Sequence, residues 1–185
     1  MRIRAGGILI QDDKILLMHR IKEKDGIINE YYVIPGGGIE SGETLDDTII
    51  REIKEEIGID VEVIDKDPRY VFQNDESIHY YKMIKLIGGK IGTGTGPEFT
   101  DSSYSINGKY IPEMINIRYI IDGRINMVPK EVKEQLSLGD KYLSELNYEQ
   151  AEVTYLAILK IAYLKYISVY MMVLLLHFSH CLQIP

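Results

Sequence analysis

Glu52, Glu55 and Glu56 stand at i, i+3 and i+4, a spacing that gathers side chains on one side of an α-helix. Carboxylates crowded in this way serve one of two ends. Most often they form a solvated helix face, the usual fate of a charge run. The other use is a platform for a hard divalent cation, because Mg²⁺ takes oxygen ligands, touches a few carboxylates and keeps its remaining contacts for water and substrate phosphates. A cation held there eases deprotonation of water and neutralises charge on phosphate oxygens. With 28 acidic against 21 basic residues, the chain carries a net charge of -7. That balance argues against a general nucleic-acid binder, which displays clustered Lys and Arg. An anionic phosphate ligand would need a cation to approach.

The glutamates need a helix, and the sequence marks both of its ends. Thr44 can cap the first amides, and Gly58 suits the left-handed turn that closes a helix. Ile50, Ile53 and Ile57 recur at helical spacing and are expected to supply the buried side. Ahead of the helix, Tyr31-Tyr32-Val33-Ile34 reads as a strand stopped by Pro35, and Gly36-Gly37-Gly38 is expected to be a tight irregular loop. Segments 2–10 and 14–21 are apolar runs parted by Gln11-Asp12-Asp13, which predicts a hairpin of two strands. Segments 61–72 and 78–87 are rich in β-branched and aromatic residues and predict two more strands, with a turn at Gln73-Asn74-Asp75. Residues 88–96 predict a glycine-rich loop, 109–115 a return to the sheet, and 117–122 a short helical turn. Pro129 is expected at the first position of a further helix.

Residues 37–59 read GGIESGETLDDTIIREIKEEIGI. Gly37, Glu43, Arg51-Glu52-Ile53, Glu55-Glu56 and Gly58-Ile59 match in full the pattern G-x5-E-x7-R-E-U-x-E-E-x-G-U, where U is aliphatic. The chain thereby resembles the Nudix hydrolase family. Tyr32-Val33-Ile34-Pro35-Gly36-Gly37 is similar to the family's entry into this motif, with Tyr where Trp is more frequent, and the likeness covers roughly residues 1–130.

The resemblance implies an α/β fold, a Nudix-type α/β/α sandwich with a mixed β-sheet. It also implies hydrolysis of a diphosphate linkage in a nucleoside diphosphate derivative. The substrate would be a nucleoside triphosphate, oxidised forms included, or a nucleotide sugar such as ADP-ribose; no motif selects among them. By resemblance, Glu52, Glu55, Glu56 and the Gly37 carbonyl hold Mg²⁺, with Mn²⁺ as the other ion such ligands accept. Glu43 and Arg51 are implied to tie loop to helix as an ion pair, with Gly58 completing the motif. Gly96-Pro97-Glu98 is similar to a late acidic position of the family, so Glu98 joins the catalytic candidates, against the reading of a solvated loop glutamate. The general base is left among Glu52, Glu56 and a residue such as Glu98 from another loop. A non-catalytic nucleotide sensor on the same fold is the alternative from a different class, and the presence of every motif carboxylate weighs against it.

Other residues carry weaker signals. Arg20 has the fork geometry to contact a substrate phosphate, or is an exposed structural arginine. Tyr80, with Tyr70, Phe72 and Tyr81, could stack on a base, although aromatic residues in strands are more often core. His19 and His79 read as strand residues rather than catalysts, since neither has a nucleophile at informative spacing.

Composition shifts after residue 135, which divides a catalytic domain, 1–135, from a helical and partly apolar C-terminal extension, 136–185. Leu138, Gly139, Tyr142, Ala151, Tyr155 and Ile161 partly resemble one tetratricopeptide repeat. Residues 161–178 are almost wholly apolar; a buried or partner-binding helix is preferred there over a membrane contact, because a span needs roughly 20 apolar residues. The single cysteine, Cys181, permits no internal disulfide, and the N-terminus shows no signal-peptide core. The expected setting is the cytoplasm and the expected partner a small nucleotide. Oligomeric state is not encoded in any motif.

Overall fold

A computed structural model describes residues 1–96, 108–131, 133 and 134. The strands are β1 (Arg2–Ile8), β2 (Ile10–Gln11), β3 (Lys14–Lys24), β4 (Ile27–Val33), β5 (Gly36–Gly38), β6 (Ile59–Val63), β7 (Tyr70–Gln73), β8 (Ser77–Gly89), β9 (Lys109–Asn116) and β10 (Met127–Val128). The helices are α1 (Leu45–Ile57) and α2 (Ile117–Ile121).

The strands form two five-stranded sheets. In the first, β1 lies between β5, to which it is antiparallel, and β8, to which it is parallel, while β6 and β7 share the far edge of β8. In the second, β3 is central, with β9 on one edge and β2 and β4 on the other; β10 adds to β4 in parallel. Successive strand residues point to opposite faces, so each sheet feeds two cores. Leu16 and Met18 join Ala5, Leu9, Ile84 and the α1 isoleucines in one; Ile15 and Leu17 join Ile8, Tyr81, Met83, Met127 and Ile120 of α2 in the other. Helix, sheets and helix make an α/β/α arrangement with mixed strand directions, as the sequence implies.

Helix α1 keeps its predicted ends. Thr44 caps it in a reciprocal pair: its hydroxyl accepts from the Asp47 N–H at 3.2 Å, and the Asp47 carboxylate accepts from the Thr44 N–H at 3.0 Å. Gly58 ends it at φ 89° and donates to the Lys54 carbonyl at 3.0 Å. The glycine-rich loop after β8 closes over this end, with the Gly92 and Gly96 N–H groups donating to the Ile57 and Glu55 carbonyls, each at 2.9 Å. These carbonyls have no partner within the helix, so the loop stabilises the last turn.

Several expectations are corrected. The buried face of α1 is Thr48, Ile49, Ile53 and Ile57, and Ile50 is 44% exposed. Ile49, Ile53 and Ile57 fall at i, i+4 and i+8, whereas Ile50 stands about 60° round the axis from Ile53. Segments 2–10 and 14–21 do not pair as one hairpin: only β2 turns back on β3, and β1 crosses into the other sheet to run beside β8. Gly36–Gly38 is a strand rather than an irregular loop, paired with β1 through Gly6, Ala5 and Arg4. Gly36 has φ 148°, and a Cβ there would collide with the Ala5 carbonyl, so glycine is what lets the chain lie so close to β1. The 61–72 run is two strands, broken between Val63 and Tyr70. Helical residues begin at Lys130, one after Pro129.

Glu98, the tetratricopeptide-like positions, the apolar run 161–178 and Cys181 lie outside the described residues. Among the described residues no helix is long and apolar enough to cross a membrane.

Candidate active site

The site is built around Arg51, whose guanidinium reaches four partners. Its Nε donates to Glu43 Oε1 at 2.6 Å and its Nη2 to Glu43 Oε2 at 3.0 Å, a two-point fork. Nη2 also donates to the Gly38 carbonyl at 3.1 Å, fastening α1 to β5. Nη1 donates to Glu52 at 2.9 Å and Glu55 at 3.2 Å. The implied loop-to-helix ion pair is thus present, and it holds two of the acidic residues as well. The Arg51 bonds, with those from the Glu40 N–H and the Thr48 hydroxyl, pull the Glu43 carboxyl down to about 2. Arg51 itself is raised, first by Glu43.

Glu52 lies against the glycine strand. A Cβ at Gly37 would sit inside its carboxylate, so the absence of a side chain there makes the space that Glu52 fills. Burial raises the Glu52 carboxyl, while its bond to Arg51 lowers it, and burial dominates. Glu56 is the next carboxylate along: its Oε2 accepts from the Gly36 N–H at 3.0 Å. Glu55 is more exposed than Glu52, with 45% of its side chain open against 16%.

All three glutamates and the Gly36–Gly38 backbone therefore meet on one flank of α1. Among the described residues no three His, Cys, Asp or Glu side chains converge closely enough to hold a metal ion. Arg51 Nη1 holds Glu52 and Glu55, while the Gly36 N–H holds Glu56. The donor set nevertheless fits a hard cation. It consists of carboxylate and carbonyl oxygen, and the missing Cβ at Gly37 lets the Glu52 carboxylate lie against the glycine strand.

Beside these carboxylates lies a cavity of about 260 Å³ whose lining includes Gly36, Glu56, Arg4, Arg20, Tyr31, Phe72, Asn74, His79, Tyr81 and Pro129. Of the glutamates, Glu56 is the one that reaches it. Arg4, on β1, donates through Nη2 to the Gly36 carbonyl at 3.0 Å, so a cation stands where the cavity meets the glycine strand. Arg20 also lines the cavity, with its guanidinium 3.4 Å from the centre of the Tyr110 ring.

Tyr80 does not line the cavity. Ser77, His79, Tyr81 and Met83 occupy one face of β8, and Tyr80, between two of them, falls on the face that carries Ile84 toward α1. The aromatic residues that do reach the cavity are Tyr31, Phe72 and Tyr81. His19 stacks on Tyr32 with ring centres 4.4 Å apart and stays in its strand, away from the cavity lining. Arg4 and Asn74 line the cavity without having been singled out by motif or spacing. The one signal that points to Arg4 is a charge at i-4 from Ile8, on the same strand face as a core residue.

Fold and site together define a Nudix-type α/β/α protein, with the motif's loop and helix set beside a cavity between the sheets. The chain belongs to the NUDIX domain family, whose model matches residues 1–104. It is similar to an ADP-ribose pyrophosphatase of Methanocaldococcus jannaschii, 34% identical over 101 residues that cover 50% of this chain and 55% of that protein. It is also similar to the nucleoside triphosphatase NudI of Escherichia fergusonii, 33% identical over 73 residues, 40% of this chain and 51% of that one. The chain spans about half the length of these curated relatives.

Solved structures show the same fold. A NUDIX hydrolase from Nitrosomonas europaea aligns with a TM-score of 0.53 at 16% identity, covering 78% of this chain and 89% of that one. A NUDIX-family hydrolase from Clostridium perfringens aligns at 0.52 and 17%, covering 78% and 97%.

Proposed function

We propose that the protein is a Mg²⁺-dependent hydrolase that cleaves a diphosphate linkage in a small nucleoside diphosphate derivative. The observation that carries this reading is the position of Glu56, hydrogen-bonded to the Gly36 N–H at 3.0 Å and at the same time part of the lining of a cavity that holds Arg4 and Arg20. A carboxylate and two arginines in the lining of one cavity suit a substrate that brings both a cation and a phosphate chain.

Glu52, Glu55, Glu56 and the Gly37 carbonyl are the residues that would hold the ion. When bound, Mg²⁺ supplies charge neutralisation for the phosphate oxygens and acidifies water. The chain's own residues do the rest. Arg51 keeps Glu52 and Glu55 on the side of α1 that faces β5, and Gly37 leaves room for Glu52. Arg4 and Arg20 bind and orient the phosphates, because guanidinium forks match phosphate oxygens. Glu52, Glu56 or a residue from another loop such as Glu98 takes the proton of the attacking water, and of the two helix carboxylates Glu56 reaches the cavity. The cytoplasm is the compartment we propose for this reaction.

The named activities of the two relatives, on ADP-ribose and on nucleoside triphosphates, support the nucleotide class and leave two substrate groups to separate. A panel of nucleoside triphosphates, dinucleoside polyphosphates and nucleotide sugars with Mg²⁺, run on the parent, Glu55→Gln and Glu56→Gln, tests the reading. Turnover in the parent that falls by orders of magnitude in the variants supports it. Equal activity in all three proteins overturns the site.

A further inference from the structure

Four residues on adjacent strands stand in one row across the first sheet. Gly38 of β5 pairs with Arg4 of β1, Arg4 with His79 of β8, and His79 with Phe72 of β7. Neighbouring strands lie about 4.8 Å apart. Starting at Arg4, beside the glycine strand, the row therefore meets His79 after about 5 Å and Phe72 after about 10 Å. A cation is followed by two rings, and all three residues line the cavity. The Phe72 and His79 rings meet edge to face, 5.6 Å between centres at 69°.

A chain of hydrogen bonds runs along this face. Asn74 Oδ1, at the β7–β8 turn, accepts from the Glu76 N–H at 3.0 Å, the Ser77 N–H at 2.8 Å and the Ser77 hydroxyl at 3.2 Å. Ser77 Oγ is also hydrogen-bonded to His79 Nε2 at 2.8 Å. His79 Nδ1 is hydrogen-bonded to the Tyr81 hydroxyl at 3.3 Å. Burial, with Arg4 and Arg2 nearby, lowers the His79 pKa. Both imidazole nitrogens are occupied, so His79 meets a ligand with its ring rather than with a proton. Asn74 is left differently disposed. Its oxygen accepts from three donors, which leaves Nδ2 as the donor of this cavity-lining side chain.

We propose that this row reads a nucleoside, with Asn74 as its specificity-determining residue: the diphosphate lies at Arg4, the base lies against His79 and Phe72, and Asn74 Nδ2 donates to an acceptor on the base edge. The proposal rests on the nucleotide reading above and adds which residues see the base. Asn74 is exposed, and a base seated on it would cover its donor, so a ligand lacking the acceptor leaves that donor unpaired.

Calorimetric binding tests this without turnover. The probes are the α,β-methylene analogues of ADP, GDP, CDP and UDP, with methylenediphosphonate as the probe that has no base, each with Mg²⁺. The proteins are the parent, Asn74→Asp, which keeps an acceptor for the turn but loses the donors, and Asn74→Ser, which loses them without adding charge. The parent is expected to bind at least one nucleoside analogue more than tenfold tighter than methylenediphosphonate. Both variants should lose that margin while holding methylenediphosphonate within about twofold of the parent. The proposal is overturned if Asn74→Ser binds the nucleoside analogues as the parent does, if its loss extends equally to methylenediphosphonate, or if the parent shows no preference for a base. Binding with this pattern in a protein that never turns over a substrate would sink the hydrolase reading alone. Turnover without the pattern would sink this inference alone.

Discussion

The Glu56 carboxylate accepts the Gly36 N–H at 3.0 Å, and both residues line the same cavity. Twenty residues separate them in the chain, so this bond fixes the helix of the motif to the strand before it at the cavity wall. Glu52 and Glu56 stand on one side of Ile53, and Ile50 on the other. The same burial of Ile53 that holds the helix down turns one flank to the cavity and the other to solvent.

Glu56→Gln keeps an oxygen that can accept the Gly36 N–H and removes the charge. Stability should change little, whereas kcat should fall by about 10²-fold or more. Initial rates with Mg²⁺ beside a thermal melt check this; a variant with parental kcat would remove Glu56 from the chemistry.

Two neighbouring glycines should respond differently to alanine. At Gly37 the new Cβ meets the movable end of Glu52, so Gly37→Ala should fold near the parental Tm and lose most of its activity as the carboxylate is pushed aside. At Gly36 the new Cβ meets the Ala5 backbone, at a φ of 148° that disfavours a side chain. Gly36→Ala should lower Tm by on the order of 10 °C or fail to fold. Equal Tm losses in the two proteins would contradict this division.

Arg51→Lys removes a planar fork that bonds Glu43 twice and also reaches Gly38, Glu52 and Glu55. One ammonium cannot satisfy that set. The variant should lose both stability and activity, with a Tm fall on the order of 5 °C or more. Thermal melts and rates measured on the same preparation decide it.

Acid should expose the Glu43 contribution. Its folded pKa, near 2, lies below the ordinary value of 4.5, so the folded state binds protons less readily than the unfolded chain. The resulting stabilisation is complete above about pH 4.5 and is lost as pH falls through about 2. Parent and Glu43→Gln melting curves should therefore stand apart at pH 6 and draw together on acidification. Glu52 has the opposite sign: its raised pKa opposes folding once the group ionises. Above its folded pKa, Glu52→Gln should equal or exceed the parent in Tm while losing activity.

Chelation gives a separate check on the proposed cation. EDTA should abolish turnover, and Mg²⁺ or Mn²⁺ added in excess should restore it. Full activity after exhaustive chelation would require a different chemistry at Glu52 and Glu56.

Much of the site is legible in the order of residues alone, and the legible parts share a cause. Thr44, Gly58 and the glutamate spacing concern contacts three to five residues apart, where helix geometry alone decides who meets whom. The Glu43–Arg51 pair spans eight residues and is readable through the motif. Ile50 misleads because periodicity identifies an apolar sector without giving its centre. Gly36–Gly38 misleads because glycine composition reports freedom of backbone, and that freedom is used here to lie close against β1.

By itself, the sequence determined the family motif, the α1 boundaries and the set of acidic side chains that α1 presents. Tertiary structure alone decided that β1 leaves β3 for β8, that Tyr80 turns toward α1 while His79 faces the cavity, and that Arg4, His79 and Phe72 form one row. Those outcomes depend on strand partners and register. Arg4 and His79 are 75 residues apart in the chain, and a shift of one residue in either strand would send its whole side-chain set to the opposite face. Local spacing carries no record of such pairings, so they are settled only when two distant strands bury their apolar faces together.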